Sequence, residues 1–168
     1  MPKPDILSHP ADGEAWKEFD NTWKKFAADP RNIRLGLATD GFNPYGTMST
    51  SYSMWLIFAV PYNFAPWDYM DQSNFMLCLL IPGKSSPGKD FDLFMEPLYD
   101  DLHALWNRVR TYDAFQNGMF DLRAAAIWCI HDYPACSTMS GRTTKGYAAC
   151  MYCDKEPLSK SIKNKYAT

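Results

Sequence analysis

The sequence predicts a mixed α/β domain, and three observations carry that prediction. Short apolar runs, the first of them with a period of two, recur through the first half of the chain, a long run of helical spacing follows, and a further apolar run stops on an acid, Asp132. At 168 residues the chain has the length of one domain, and 46% hydrophobic with 15% aromatic content supplies an ample core. A disordered or fibrous chain is thereby excluded.

The lead-in DGEAWKEFDNTWKKFAADP spaces Trp16, Phe19, Trp23 and Phe26 by three and four. One amphipathic helix is expected, N-capped by Asp12 and stopped at Asp29-Pro30. In RNIRLGLATD, Ile33, Leu35 and Leu37 alternate with Arg34, Gly36 and Ala38, which predicts a strand with one buried face whose last residue is Asp40. A turn, GFNPYG, leads to a second strand in SYSMWLIFAVPYN, and NFMLCLLIPG is a third, closing at Pro82-Gly83. Short connections predict an antiparallel meander, and the apolar character of its strands predicts cover on both faces.

After the linker GKSSPGKD, the segment FDLFMEPLYDDLHALWNRVR keeps Leu98, Leu102, Leu105, Trp106 and Val109 at helical spacing, with Pro97 in the first turn or at a kink. TYDAFQNGMF reads as a hairpin around a two-residue Asn117-Gly118 turn. FDLRAAAIWCIHDYPA is open on periodicity alone. Its three alanines favour helix, whereas Ile127, Trp128, Ile130 and the Tyr133-Pro134 stop favour strand.

Net charge of -2 gives no whole-chain pull toward nucleic acid. No apolar run approaches the ~20 residues of a membrane span, so a soluble, intracellular chain without membrane partners is expected. Of five cysteines only Cys150 and Cys153 have ligand spacing, which fits a reduced compartment and not a disulfide framework. One CxxC offers two of the four ligands of a structural Zn²⁺ site, so the pair reads as two free thiols or as half a zinc knuckle. The tail beyond it, with Lys155, Lys160, Lys163 and Lys165, is expected to fray.

If the runs ending in Asp40 and Asp132 are neighbouring strands, both carboxylates project from one edge of a sheet. Mg²⁺ takes oxygen ligands of this kind, and paired metals about 4 Å apart clamp the attacking and leaving oxygens of a phosphodiester displacement. An Asp followed by Gly is also an ordinary turn pair. His131 reads as a general base or as a packed neighbour, and Arg142 and Lys145 as phosphate contacts or as solvated loop residues.

The strings HPADGEAWKEFD, PRNIRLGLATDGFNPYG, VPYN, LLIPGKSSPGKD, FDLRAAAIWCIHDYPA and TTKGYAAC, closed by Cys150-x-x-Cys153, resemble in order and spacing the core of plant CACTA (En/Spm-type) transposases. The resemblance spans roughly residues 7 to 165. It implies a ribonuclease-H-like fold with a DDE/D site that holds Mg²⁺ or Mn²⁺, in which Asp40 ends strand one and Asp132 ends strand four. It further implies DNA, the transposon ends, as partner and the nucleus as location, and leaves self-association open. The chain departs from the pattern at Leu56 (Pro in the family), Arg142 (Trp) and Met151 (Pro), none of which is an acid. The family's third acid falls farther downstream, and neither Asp154 nor Glu156 fits that role.

These observations divide the chain into a helical lead-in over 1–29, a partial ribonuclease-H-like core over 30–149, and the CxxC element with its polar tail over 150–168. Three readings follow from them. The first is part of a transposase catalytic core, metal-dependent in DNA cleavage and strand transfer, and inactive as this stretch alone. The others are a non-catalytic domesticated remnant that binds protein or DNA, and a zinc-dependent structural module on Cys150 and Cys153.

Overall fold

The computed structural model describes residues 8–46 and 52–141. The chain is a mixed α/β protein. Strands β1 (Ile33–Phe42), β2 (Ser53–Pro61) and β3 (Met76–Gly83) form the expected antiparallel meander. Helix α3 (Phe91–Asn107) follows, then a separate hairpin of β4 (Val109–Asp113) and β5 (Gly118–Leu122). The chain then returns as β6 (Ala124–His131), which pairs in parallel with β1, giving the sheet order β3-β2-β1-β6. FDLRAAAIWCIHDYPA is therefore a strand followed by helix α4 (Tyr133–Ser140).

Helix α3 covers one face of the sheet. Phe91, Met95, Leu98, Leu102 and Leu105 recur by four and three, so they form one stripe along the helix. Its first part packs with Trp55, Ile57, Ile81 and Ala135, and its last part meets Leu35, Leu37, Ala59 and Ala124. Pro97 lies past the first turn, inside the helix. Val109, which continues the helical spacing in the sequence, instead opens β4, because the backbone leaves the helical conformation at Arg108 with φ 150°.

The lead-in covers the second face. It is not one helix: a 3-10 turn at Pro10–Asp12 precedes α1 (Glu14–Thr22) and α2 (Lys24–Ala27), which are separated at Trp23 with φ -109° and ψ 56°. Asp12 is not the N-cap of α1, a position taken by Gly13. Its carboxylate turns back to accept the Ser8 and His9 backbone N–H groups at 2.9 and 3.0 Å. Trp16 reaches Trp128 on β6, which in turn meets the Tyr62 ring edge-on. Tyr62 lies flat against Gly36, where an added Cβ would stand 2.4 Å from the phenol oxygen.

A buried ion pair ties this layer to the sheet. Arg34 is 4% exposed, and its guanidinium donates to Asp20 Oδ1 at 2.5 Å and to the Asn32 carbonyl at 2.9 Å, with Trp16 and Phe26 on its faces. Asn32 is buried too, and its amide bonds the Phe26 carbonyl and the Arg123 N–H. Every polar group in this cluster that burial strips of water thus finds a partner.

Three further expectations are corrected. The sheet is not covered throughout, because β3 is an edge strand whose Met76, Leu77 and Leu80 stay exposed. The β4–β5 connection spans Ala114–Asn117 and not two residues. Asp113 Oδ1 accepts the Phe115 and Gln116 N–H groups there, and Asn117, at φ 51°, supplies the left-handed step. Strand β1 continues through Asp40 to Phe42, so Asp40-Gly41 is not a turn. Gly41 is required by packing, since a Cβ there would meet the Trp55 ring at 2.7 Å.

Two outcomes test this account. Replacing Asp20 with Ala strands a buried guanidinium, so Asp20→Ala is expected to lower unfolding free energy by about 3 kcal/mol in urea titration; a loss below about 1 kcal/mol would class the pair with surface ion pairs. The second concerns pH. Arg31 bonds Asp29 at 2.7 Å and Asp113 at 3.0 Å, latching the hairpin to the start of β1. The Arg31 side chain holds the Asp29 carboxyl below the usual range, and the Gln116 N–H followed by Arg31 does the same for Asp113. Folded pKa values lie below unfolded ones, so this stabilisation is present above about pH 4 and is lost as pH falls through the folded values. Asp113→Asn is expected to flatten the decline of Tm in that acid range.

Candidate functional site

The site is built where β1 and β6 run side by side toward their C-terminal ends. Their pairing begins at Ile33 and Ala124, shifts between Leu35 and Gly36, and ends at Thr39 and His131. The shift inserts one additional β6 residue, Ile127, since Leu35 faces Ala126 and Gly36 faces Trp128. The next positions in the two chains are Asp40 and Asp132. Without the bulge, strand alternation would place His131 and not Asp132 beside Asp40.

Both acids line one cavity of about 320 Å³, with Ala38, Thr39, Phe58, Ile130 and His131 as the remaining wall. Both are exposed. The Asp40 carboxylate has no hydrogen-bond or ion-pair partner among the described residues, so both oxygens face solvent or ligand. Asp132 is held differently. As N-cap of α4, its Oδ1 accepts the Ala135 N–H at 2.7 Å, with Pro134 in the first turn, and Gly141 closes the helix at φ 66°. One oxygen of Asp132 is thereby fixed and the other has no hydrogen-bond partner among the described residues. The string D-Y-P carries this cap in the sequence, an Asp followed by Pro at the second helical position, beside the Tyr133-Pro134 strand stop.

His131 lines the same cavity, half-buried, opposite Thr39. Thr39 is 4% exposed and its hydroxyl has no hydrogen-bond partner. Two carboxylates on adjacent strands are a donor set of the hard-oxygen kind that suits Mg²⁺ or Mn²⁺. Among the described residues no group of three His, Cys, Asp or Glu side chains converges. Asp40 and Asp132 are thus two oxygen donors at one cavity, a set that a divalent cation would need further ligands to complete. Cys150, Cys153, Arg142, Lys145, Asp154 and Glu156 lie outside the described residues.

Over residues 4–168 the chain matches the family described as Transposase family tnp2. The chain belongs to that family. No curated protein and no solved structure matches it. Membership of the tnp2 transposase family ties the chain to transposition and, in general terms, to DNA. No helix among the described residues of this tnp2-family chain is long and apolar enough to cross a membrane.

The unpartnered Thr39 hydroxyl sets a test of the site's packing. A buried hydroxyl without a partner costs about 1–3 kcal/mol, so Thr39→Val, which keeps the branched shape, is expected to raise stability by about 1 kcal/mol in thermal melts. A loss of similar size would show that the hydroxyl has a partner after all.

Proposed function

We propose that this tnp2-family chain carries the first two metal-ligating acids of a DDE/D transposase core of the plant CACTA (En/Spm) type, acting on transposon ends in the nucleus. The observation that carries the reading is the parallel register of β1 and β6, which brings Asp40 and Asp132 to one cavity at the C-terminal ends of adjacent strands. The order β3-β2-β1-β6, antiparallel through the first three and parallel at the fourth, supports a ribonuclease-H-like sheet.

Asp40 offers two unengaged oxygens, and Asp132 offers one that its helix cap holds in place. When bound, Mg²⁺ or Mn²⁺ supplies Lewis-acid polarisation of a phosphodiester and activation of a water or 3′-hydroxyl nucleophile. Phe58 and Ile130 line the cavity with apolar surface. In the family pattern a third acid, downstream of the CxxC element, completes the ligand set. With two carboxylates and no substrate phosphate, Mg²⁺ keeps most of its water and binds weakly.

Paramagnetic broadening by Mn²⁺ tests the reading at residue level. Amide resonances of residues 38–40 and 130–132 are expected to broaden first, at millimolar Mn²⁺, and Asp40→Asn is expected to weaken this by about tenfold or more. Broadening that spares these residues, or survives an Asp40→Asn, Asp132→Asn double variant, would sink it. In the same buffer the 168-residue chain alone is expected not to nick supercoiled plasmid. Nicking that disappears in the double variant would mean that the third acid is supplied within these residues or by a second copy.

A further inference from the structure

A second cavity, of about 450 Å³, opens between the lead-in and the last turn of α3. Its inner wall is aromatic. Phe26 is buried and stacks on Trp106 with ring centroids 5.9 Å apart, and Trp23 meets Trp106 edge-on at 4.9 Å. Trp23 itself is 48% exposed, held at the mouth by the break between α1 and α2. An unbroken helix would have carried that indole onto the packed aromatic stripe predicted from its spacing.

The rim is cationic. Lys24, Lys25 and Arg123 line the cavity and no acid does. None of the three has a carboxylate partner among the described residues. In a chain of net charge -2 this concentration is local and does not come from overall composition. Unpaired cations around an open indole repel cationic ligands and favour one that joins a flat ring to an anion. A nucleotide has both parts: its base stacks on an aromatic face and its phosphate meets lysine and arginine. Duplex DNA offers base edges but keeps its ring faces stacked, so the fit is to an unpaired nucleotide.

The cavity stands apart from the acids. Arg123 directly precedes the Ile33–Ala124 pair, whereas the Thr39–His131 pair lies six β1 residues further on, roughly 20 Å at the rise of a strand. We propose that this cavity binds an unpaired nucleotide of single-stranded DNA, with its base on Trp23 and its phosphates against Lys24, Lys25 and Arg123. The site needs no metal and neither acid.

Fluorescence anisotropy with a labelled oligothymidylate of about a dozen nucleotides, in EDTA, tests this. Trp23→Ala is expected to weaken binding by about tenfold or more, the value of one stacked base. Replacing Lys24, Lys25 and Arg123 together by Gln is expected to lower the slope of log affinity against log salt by about 2, at roughly 0.7 per phosphate on a single strand. Circular dichroism melts accompany both variants, and the lysine changes, at exposed positions, keep the test informative if Trp23→Ala does not fold. An Asp40→Asn, Asp132→Asn variant is expected to bind the oligonucleotide as the parent does, so a failed metal site and a failed nucleotide site give different results. Three results would overturn the proposal: affinity and salt slope unchanged in the triple variant, a duplex of equal length competing as well as the single strand, or displacement of the oligonucleotide only by an acidic, aromatic peptide.

Discussion

One additional residue in β6 decides which side chain stands beside Asp40. Parallel strands alternate their side chains with period two, so a slip of one position exchanges the two faces along the rest of the pair. The bulge at Ile127 makes that exchange once, between Leu35 and Gly36, and everything beyond it follows. Trp128 comes to the lead-in face against Tyr62, and Asp132 comes into phase with Asp40. A parallel partner cannot be reached by a tight turn, and here the crossover runs through α3 and the β4–β5 hairpin. The stripe on α3 that packs on β1, β2 and β6 therefore also maintains the alignment of the acids.

The second layer solves a different problem. An arginine in the buried part of β1 is costly unless its charge and all its donors are met. Arg34 is met by Asp20 from α1 and by the Asn32 carbonyl, between two aromatic rings. The lead-in is thus held by a charge it must neutralise as well as by the apolar area it covers. That dual attachment brings Lys24, Lys25 and Trp23 to the start of β1, beside Arg123 at the start of β6.

The sheet consequently has two unlike ends. Acids gather where β1 and β6 finish, the usual place for ligands at the carboxyl ends of parallel strands. Cations without a carboxylate partner among the described residues, and an exposed indole, gather where the same strands begin. A net charge near zero conceals this separation, because opposite charges cancel in a sum but remain about 20 Å apart in space. A whole-chain charge is therefore a poor guide to what either end binds.

By itself the sequence determined what depends on local period and composition. The alternation of Ile33, Leu35 and Leu37 located β1, the apolar runs located β2 and β3, and the helical spacing of Leu98, Leu102, Leu105 and Trp106 located α3, because burial leaves a trace in the local pattern. The two acids were also legible, through the strings around Asp40 and Asp132. What the local pattern could not decide was what depends on a partner far along the chain. Gly41 looks like a turn residue until Trp55 is laid across it, and the helical lead-in looks continuous until Trp23 meets Trp106. The run of three alanines before Ile127 looks equally like helix or strand until β1 supplies the ladder it pairs with. The bulge at Ile127 and the cation-rimmed cavity exist only in three dimensions, because each is a relation between segments that local periodicity does not record.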